Sequence, residues 1–123
     1  MQFFIDKVNN RLYVRYSDST DMSRWGEIAT KKYSITGSGM SFDDCRSTLG
    51  LSYPCRFKFE FLATDNSCYL EGYAYRENAS TAPITTYVGT SGYAINSNAG
   101  GTMACYTGSD NVPGTFICTE LKD

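Results

Sequence analysis

Five cysteines and no histidine set the limits on the chemistry open to this 123-residue chain. A serine or cysteine nucleophile needs a nearby base to take its proton. Without histidine the Ser-His-Asp and Cys-His arrangements are excluded, and so is histidine-dependent ribonuclease chemistry. The cysteines form no C-x-x-C pair and their spacing does not suit a zinc site. They read instead as disulfides of an oxidising compartment. No G-x-x-x-x-G-K-[ST] loop and no strand-linked G-x-G-x-x-G loop is present to cradle a phosphate, and the sequence implies no cofactor and no metal.

The remaining reactive groups are carboxylates, and two of them, Glu60 and Glu71, fall in the stretch CRFKFEFLATDNSCYLEGYAYR from Cys55 to Arg76. Its pattern predicts a β-hairpin. Cys55, Phe57, Phe59, Phe61 and Ala63 alternate with Arg56, Lys58, Glu60, Leu62 and Thr64, the period of a half-buried strand. Asp65 and Asn66 supply turn chemistry. The register that follows sets Ala63 against Cys68, Phe61 against Leu70, Phe59 against Gly72 and Phe57 against Ala74. A slip of one residue would turn three phenylalanines to water. The opposite face carries Arg56, Lys58, Glu60, Tyr69, Glu71, Tyr73 and Tyr75. As a plain solvated sheet face it needs no ligand. As a platform, Arg56, Lys58, Tyr69, Tyr73 and Tyr75 suit stacking against a sugar ring or a base. Glu60 opposite Glu71 puts two carboxylates at about the spacing of a retaining glycosidase, which would also need a cleft and one raised pKa.

The same register constrains the cysteines. Cys55 and Cys68 would stand about 26 Å apart along the hairpin, whereas a disulfide needs Cα atoms within about 7 Å. The expected bridges are Cys105–Cys118, across a predicted last hairpin, and Cys45–Cys55. Each would contribute about 3 kcal/mol in the chain-entropy model. Cys68 is then left as a buried thiol or a crosslink to another chain.

Elsewhere, residues 2–16 predict a hairpin turning at Asn9-Asn10. Asp21 to Lys32 has Met22, Trp25, Ile28 and Ala29 at helical spacing, weakened at Gly26 by about 1 kcal/mol, and a strand from Glu27 to Ile35 competes with it. Thr36 to Asp44 reads as a loop and Cys45 to Pro54 as irregular. Asn78-Ala79-Ser80 is a glycosylation sequon. Ile84–Val88 and Tyr93–Ile95 predict a third hairpin around Gly89 to Gly92. Gly101–Thr107 and Thr115–Leu121 predict the last pair. The fold class is therefore mainly β, or α+β if the one short helix forms. It is an antiparallel sheet built from hairpins, disulfide-stapled, in a single domain over 1–123.

A net charge of −2, from 11 basic and 13 acidic residues, argues for neither nucleic acid nor an anionic membrane as partner. No apolar run approaches a transmembrane length. The N-terminus has no signal-peptide pattern; for a secreted protein, the expectation is then a mature or trimmed form in which Met1 can be a cloning residue.

The tail GGTMACYTGSDNVPGTFICTEL, about the last fifth of the chain, resembles the C-terminal region of some bacterial type IV pilins and pilin-like proteins. There, two cysteines bracket a polar loop near the chain end; here they are Cys105 and Cys118. The resemblance implies a sheet-based head whose bracketed loop faces outward on a filament. That family's long N-terminal apolar helix has no counterpart here. The expected function is a non-enzymatic extracellular or cell-surface structural or interaction domain, pilin-like, with a protein partner or self-assembly. The alternative is a secreted module or effector binding a carbohydrate or a host protein. The least unlikely enzyme is a carboxylate-dependent hydrolase.

Overall fold

The computed structural model of the chain describes residues 2–8, 11–15, 26–27 and 31–121. Two compact units make up the chain, Met1–Lys31 and Lys32–Asp123. The first holds β1 (Gln2–Asp6), β2 (Arg11–Arg15) and β3 (Gly26–Glu27), antiparallel in that order. The predicted first hairpin is present, and its register pairs Asp6 with Arg11. The turn expected at Asn9-Asn10 lies outside the described residues. The helix considered over Asp21 to Lys32 lies mostly outside the described residues; within it, Gly26 and Glu27 form β3.

The second unit begins with β4 (Lys32–Gly37), β5 (Met40–Ser41) and α1 (Phe42–Leu49). The central hairpin follows as β6 (Cys55–Ala63) and β7 (Tyr69–Arg76). Then come β8 (Ile84–Gly89), β9 (Ala94–Ser97), β10 (Thr102–Thr107), β11 (Asp110–Val112) and β12 (Gly114–Glu120). A five-stranded antiparallel sheet runs β4-β12-β6-β7-β8. A second antiparallel sheet is organised around β10, which pairs with β9, β5 and β11. Among the described residues the fold is, as expected, mostly antiparallel β with one short helix and no closed barrel; the expected disulfide stapling is not formed.

The central hairpin has the register its pattern predicts, with Phe57↔Ala74, Phe59↔Gly72 and Phe61↔Leu70. Asn66 takes a left-handed φ of 62° in its turn. All three phenylalanines are fully buried, each contributing roughly 1.5–3 kcal/mol. Their rings meet others from either side: Phe42 of α1 lies 4.7 Å from Phe57, and Phe116 of β12 lies 4.8 Å from Phe61. Met40, Ile95, Met103, Cys105 and Val112, from the second sheet, complete one shared core.

Three local expectations are corrected. The stretch read as loop and irregular chain contains α1. Ser41 caps it, its Oγ accepting from the Asp44 N–H at 3.2 Å, and Gly50 ends it in a left-handed turn. Phe42, Cys45 and Leu49 fall on its buried side. Ser41→Ala should lower stability by about 1 kcal/mol, the usual worth of such a cap, read as a shift in the urea midpoint at unchanged slope. Second, β8 and β9 form no hairpin; β8 extends the first sheet beside β7 and β9 joins β10. Third, β10 and β12 are not paired. β10 turns back through Gly108 onto β11, and the chain then crosses at Pro113, whose carbonyl accepts from the Thr64 N–H at 3.0 Å. That anchor sets β12 beside β6 rather than beside β10.

The cysteine pairing falls with that hairpin. Cys105 lies against Ile95 and Val112 in one sheet, Cys118 against Phe59 and Tyr33 in the other. All five cysteines are buried free thiols, so neither Cys105–Cys118 nor Cys45–Cys55 is bridged. Cys55 and Cys68 do sit at opposite ends of the central pair.

One buried side chain was not anticipated. Arg76 ends β7 on the phenylalanine side and is 2% exposed. Its Nε donates to the Thr81 carbonyl at 2.7 Å, and its Nη2 donates to the carbonyls of Ala79 and Ala99, both at 2.9 Å. Its Nη1 donates to the Tyr53 hydroxyl at 3.0 Å. One guanidinium thus ties three separate connections together.

Candidate functional site

The outward side chains of the five-stranded sheet form the candidate site. Strand alternation that buries Phe57, Phe59 and Phe61 must send Arg56, Lys58 and Glu60 the other way. Pairing then lines them up across strands. Arg56 stands beside Tyr75, which stands beside Ile84. Lys58 stands beside Tyr73 and then Thr86, and Glu60 beside Glu71 and then Val88. Leu62 is paired with Tyr69.

The sheet therefore brings together all five residues singled out from the sequence: Arg56, Lys58, Tyr69, Tyr73 and Tyr75. Two hollows lie on it. The larger, about 560 Å³, is lined by Arg56, Tyr73, Ala74, Tyr75, Ile84, Thr86 and Leu121. The smaller, about 220 Å³, takes in Lys58, Glu71, Tyr73 and Val88. Tyr69 lines neither of them and stands beyond Glu71 along β7.

Hydrogen bonds fix several of these groups. The Tyr69 hydroxyl donates to Glu71 Oε2 at 3.2 Å, and the Tyr75 hydroxyl donates to Glu77 Oε2. The Lys58 Nζ lies 4.0 Å from Glu60 Oε1. The Glu77 bond holds the Tyr75 phenol above its ordinary pKa. For Tyr69, burial acts first and the charges of Glu60 and Glu71 add to it. Both phenols are accordingly neutral donors at physiological pH. The two carboxylates are opposite one another as the register required, but they sit on an open face, Glu71 engaged by Tyr69 and Glu60 beside Lys58. Such a face offers no enclosure to shield a glycosyl transition state.

Known proteins offer no guide. No family model matches the chain, no curated protein matches it, and no solved structure matches it.

Ile84, Thr86, Val88 and Leu121 join the site without having been anticipated. Their own alternation was visible, with Ile84, Thr86 and Val88 on one side of a strand. What a single sequence does not carry is which strand becomes the neighbour of β7. The result is an apolar margin: Ile84 is 65% exposed and Val88 67%, beside Tyr73 at 54%.

Proposed function

We propose that the chain is a non-enzymatic extracellular structural or interaction domain, a surface or filament subunit. It associates with a protein partner or with further copies of itself through the outer face and outer edge of its five-stranded sheet. The observation that carries this reading is the unguarded edge. β8 is the last strand of the sheet, and its sequence ITTYVG holds no proline and no charge. Those are the features that ordinarily stop an exposed edge from recruiting another strand. An added antiparallel strand would satisfy the outward backbone groups of β8 and cover Ile84 and Val88. Light scattering across a concentration series tests it. The wild type should give particles whose mass rises with concentration, and Ile84→Lys with Val88→Lys should weaken association at least tenfold. A monomer at every concentration, with no partner strand bound, would end the reading.

The larger hollow favours a second reading, a carbohydrate subsite. Tyr73 and Tyr75 beside Arg56 pair aromatic faces with a hydrogen-bond donor, the combination that suits a sugar ring. A glycan that shifts the NMR signals of these residues should lose its effect on Tyr73→Ala.

A further inference from the structure

The five thiols are not scattered through the core; they fall into two near pairs and one neighbour. Cys45 on α1 and Cys118 on β12 are both fully buried in one core where α1 packs against β12, and the two thiols are near neighbours without being bonded; the Cys118 thiol donates to Met40 Sδ at 3.7 Å. Cys68, where the chain enters β7, and Cys105 on β10 are both buried in the same core and form a second near pair, also unbonded. Cys55 lies near Cys45, whose charge adds to the burial that raises the Cys55 thiol. The two pairs join different parts of the core. Cys45–Cys118 would fasten the helix to the five-stranded sheet. Cys68–Cys105 would fasten the two sheets to each other.

We propose that the oxidised form of this protein is bridged Cys45–Cys118 and Cys68–Cys105, with Cys55 left as a buried thiol. The inference deepens the extracellular reading, because only an oxidising compartment would keep both bridges. For each bridge two S–H bonds break and one S–S bond forms. Two protons go to solvent, and two electrons reduce a disulfide oxidant, such as oxidised glutathione, to two thiols. Two bridges consume two molecules of oxidant.

The folded interior bears on when this happens. Burial pushes the Cys105 thiol up to about 12, and the Cys55 thiol up to about 11. The neighbouring Cys118 thiol and burial raise Cys45 as well. Thiolate is the attacking species, so these thiols react poorly once packed. Bridging is therefore slower in the packed core than in the open chain. Cys55 stays protonated in the finished fold, so it does not displace Cys118 from Cys45.

The decisive experiment refolds the reduced, denatured chain in a mixture of oxidised and reduced glutathione and maps its bridges by mass spectrometry. Trypsin alone leaves Cys105 and Cys118 in one peptide, since no lysine or arginine lies between residues 77 and 121. A second cut before Asp110 separates them. The expected map links the Cys45 peptide to the Cys118 peptide and the Cys68 peptide to the Cys105 peptide. Iodoacetamide should label Cys55 about 100-fold more slowly in the native protein than after denaturation, given the rarity of thiolate at a buried site. Finding Cys105–Cys118 or Cys45–Cys55 would overturn the proposal, as would a refolded chain with five free thiols. None of those results would touch the reading of the sheet face, which fails by its own test of association.

Discussion

Arg76→Ala should cost about 3–5 kcal/mol, the usual result of removing a buried, fully hydrogen-bonded charge and orphaning its partners. The carbonyls of Ala79, Thr81 and Ala99 would lose their donor, and the buried space of the guanidinium would be left empty. A domain of this size has only about 5–15 kcal/mol in total. The variant should therefore unfold at a much lower urea concentration than the parent. Arg76→Lys should recover only part of the loss, since one ammonium cannot reproduce a planar fork that reaches three carbonyls and the Tyr53 hydroxyl. The site is tightly fitted: at Gly101, where φ is +90°, an added Cβ would stand 2.5 Å from Arg76 Nη1. If Arg76→Ala stayed within about 0.5 kcal/mol of the parent, as surface substitutions do, the clamp would have no role in stability.

Phe59→Ala should be comparably severe, about 3–5 kcal/mol. Phe59 sits mid-strand on β6, between β12 and β7, fully buried beside Phe116 and across from Gly72. Glycine has no side chain with which to refill the space, so the cavity should persist and the loss should fall in the upper part of that range. Phe59→Leu should cost only about 1 kcal/mol, because it keeps most of the volume. Lys58→Ala, one residue away on the opposite face, should change stability by about 0.5 kcal/mol or less. Chemical denaturation of the three variants side by side checks the alternation directly. Equal effects at positions 58 and 59 would contradict the assigned faces.

The central hairpin was legible because its evidence is local and redundant. Phe57, Phe59 and Phe61 alternate on one strand, Leu70, Gly72 and Ala74 answer them on the other, and one turn sets the register of both. The five platform residues followed from the same alternation. Arg76 was within reach too, since it shares its parity with Leu70 and Ala74. Its partners, at Tyr53, Ala79, Thr81 and Ala99, lie in loops that the strand's alternation does not place. For α1 the signal was short but present in Ser41 and Asp44, a cap and its third following residue, and in Gly50. It was missed because glycine and serine around residues 36–41 suggested loop.

Long-range pairing was not legible. β8 and β9 look like a hairpin in sequence and lie in different sheets. β10 and β12 look like another, and the crossing at Pro113 sends β12 between β4 and β6. Nothing in either strand names a neighbour dozens of residues away, because the backbone bonds that join strands are the same for every sequence. The expected Cys105–Cys118 bridge fails for that reason. Given the wrong neighbour for β12, Cys118 was matched to Cys105 instead of standing beside Cys45.

Amide hydrogen exchange on the wild-type protein, compared between dilute and concentrated samples, addresses association through the sheet edge most directly. Pairing along β8 should slow exchange at amides between Ile84 and Gly89 as concentration rises, while the central amides of β6, already bonded on both sides, stay unchanged. Exchange along β8 that is equally fast at every concentration, or new protection confined to β4 at the opposite edge, would contradict it.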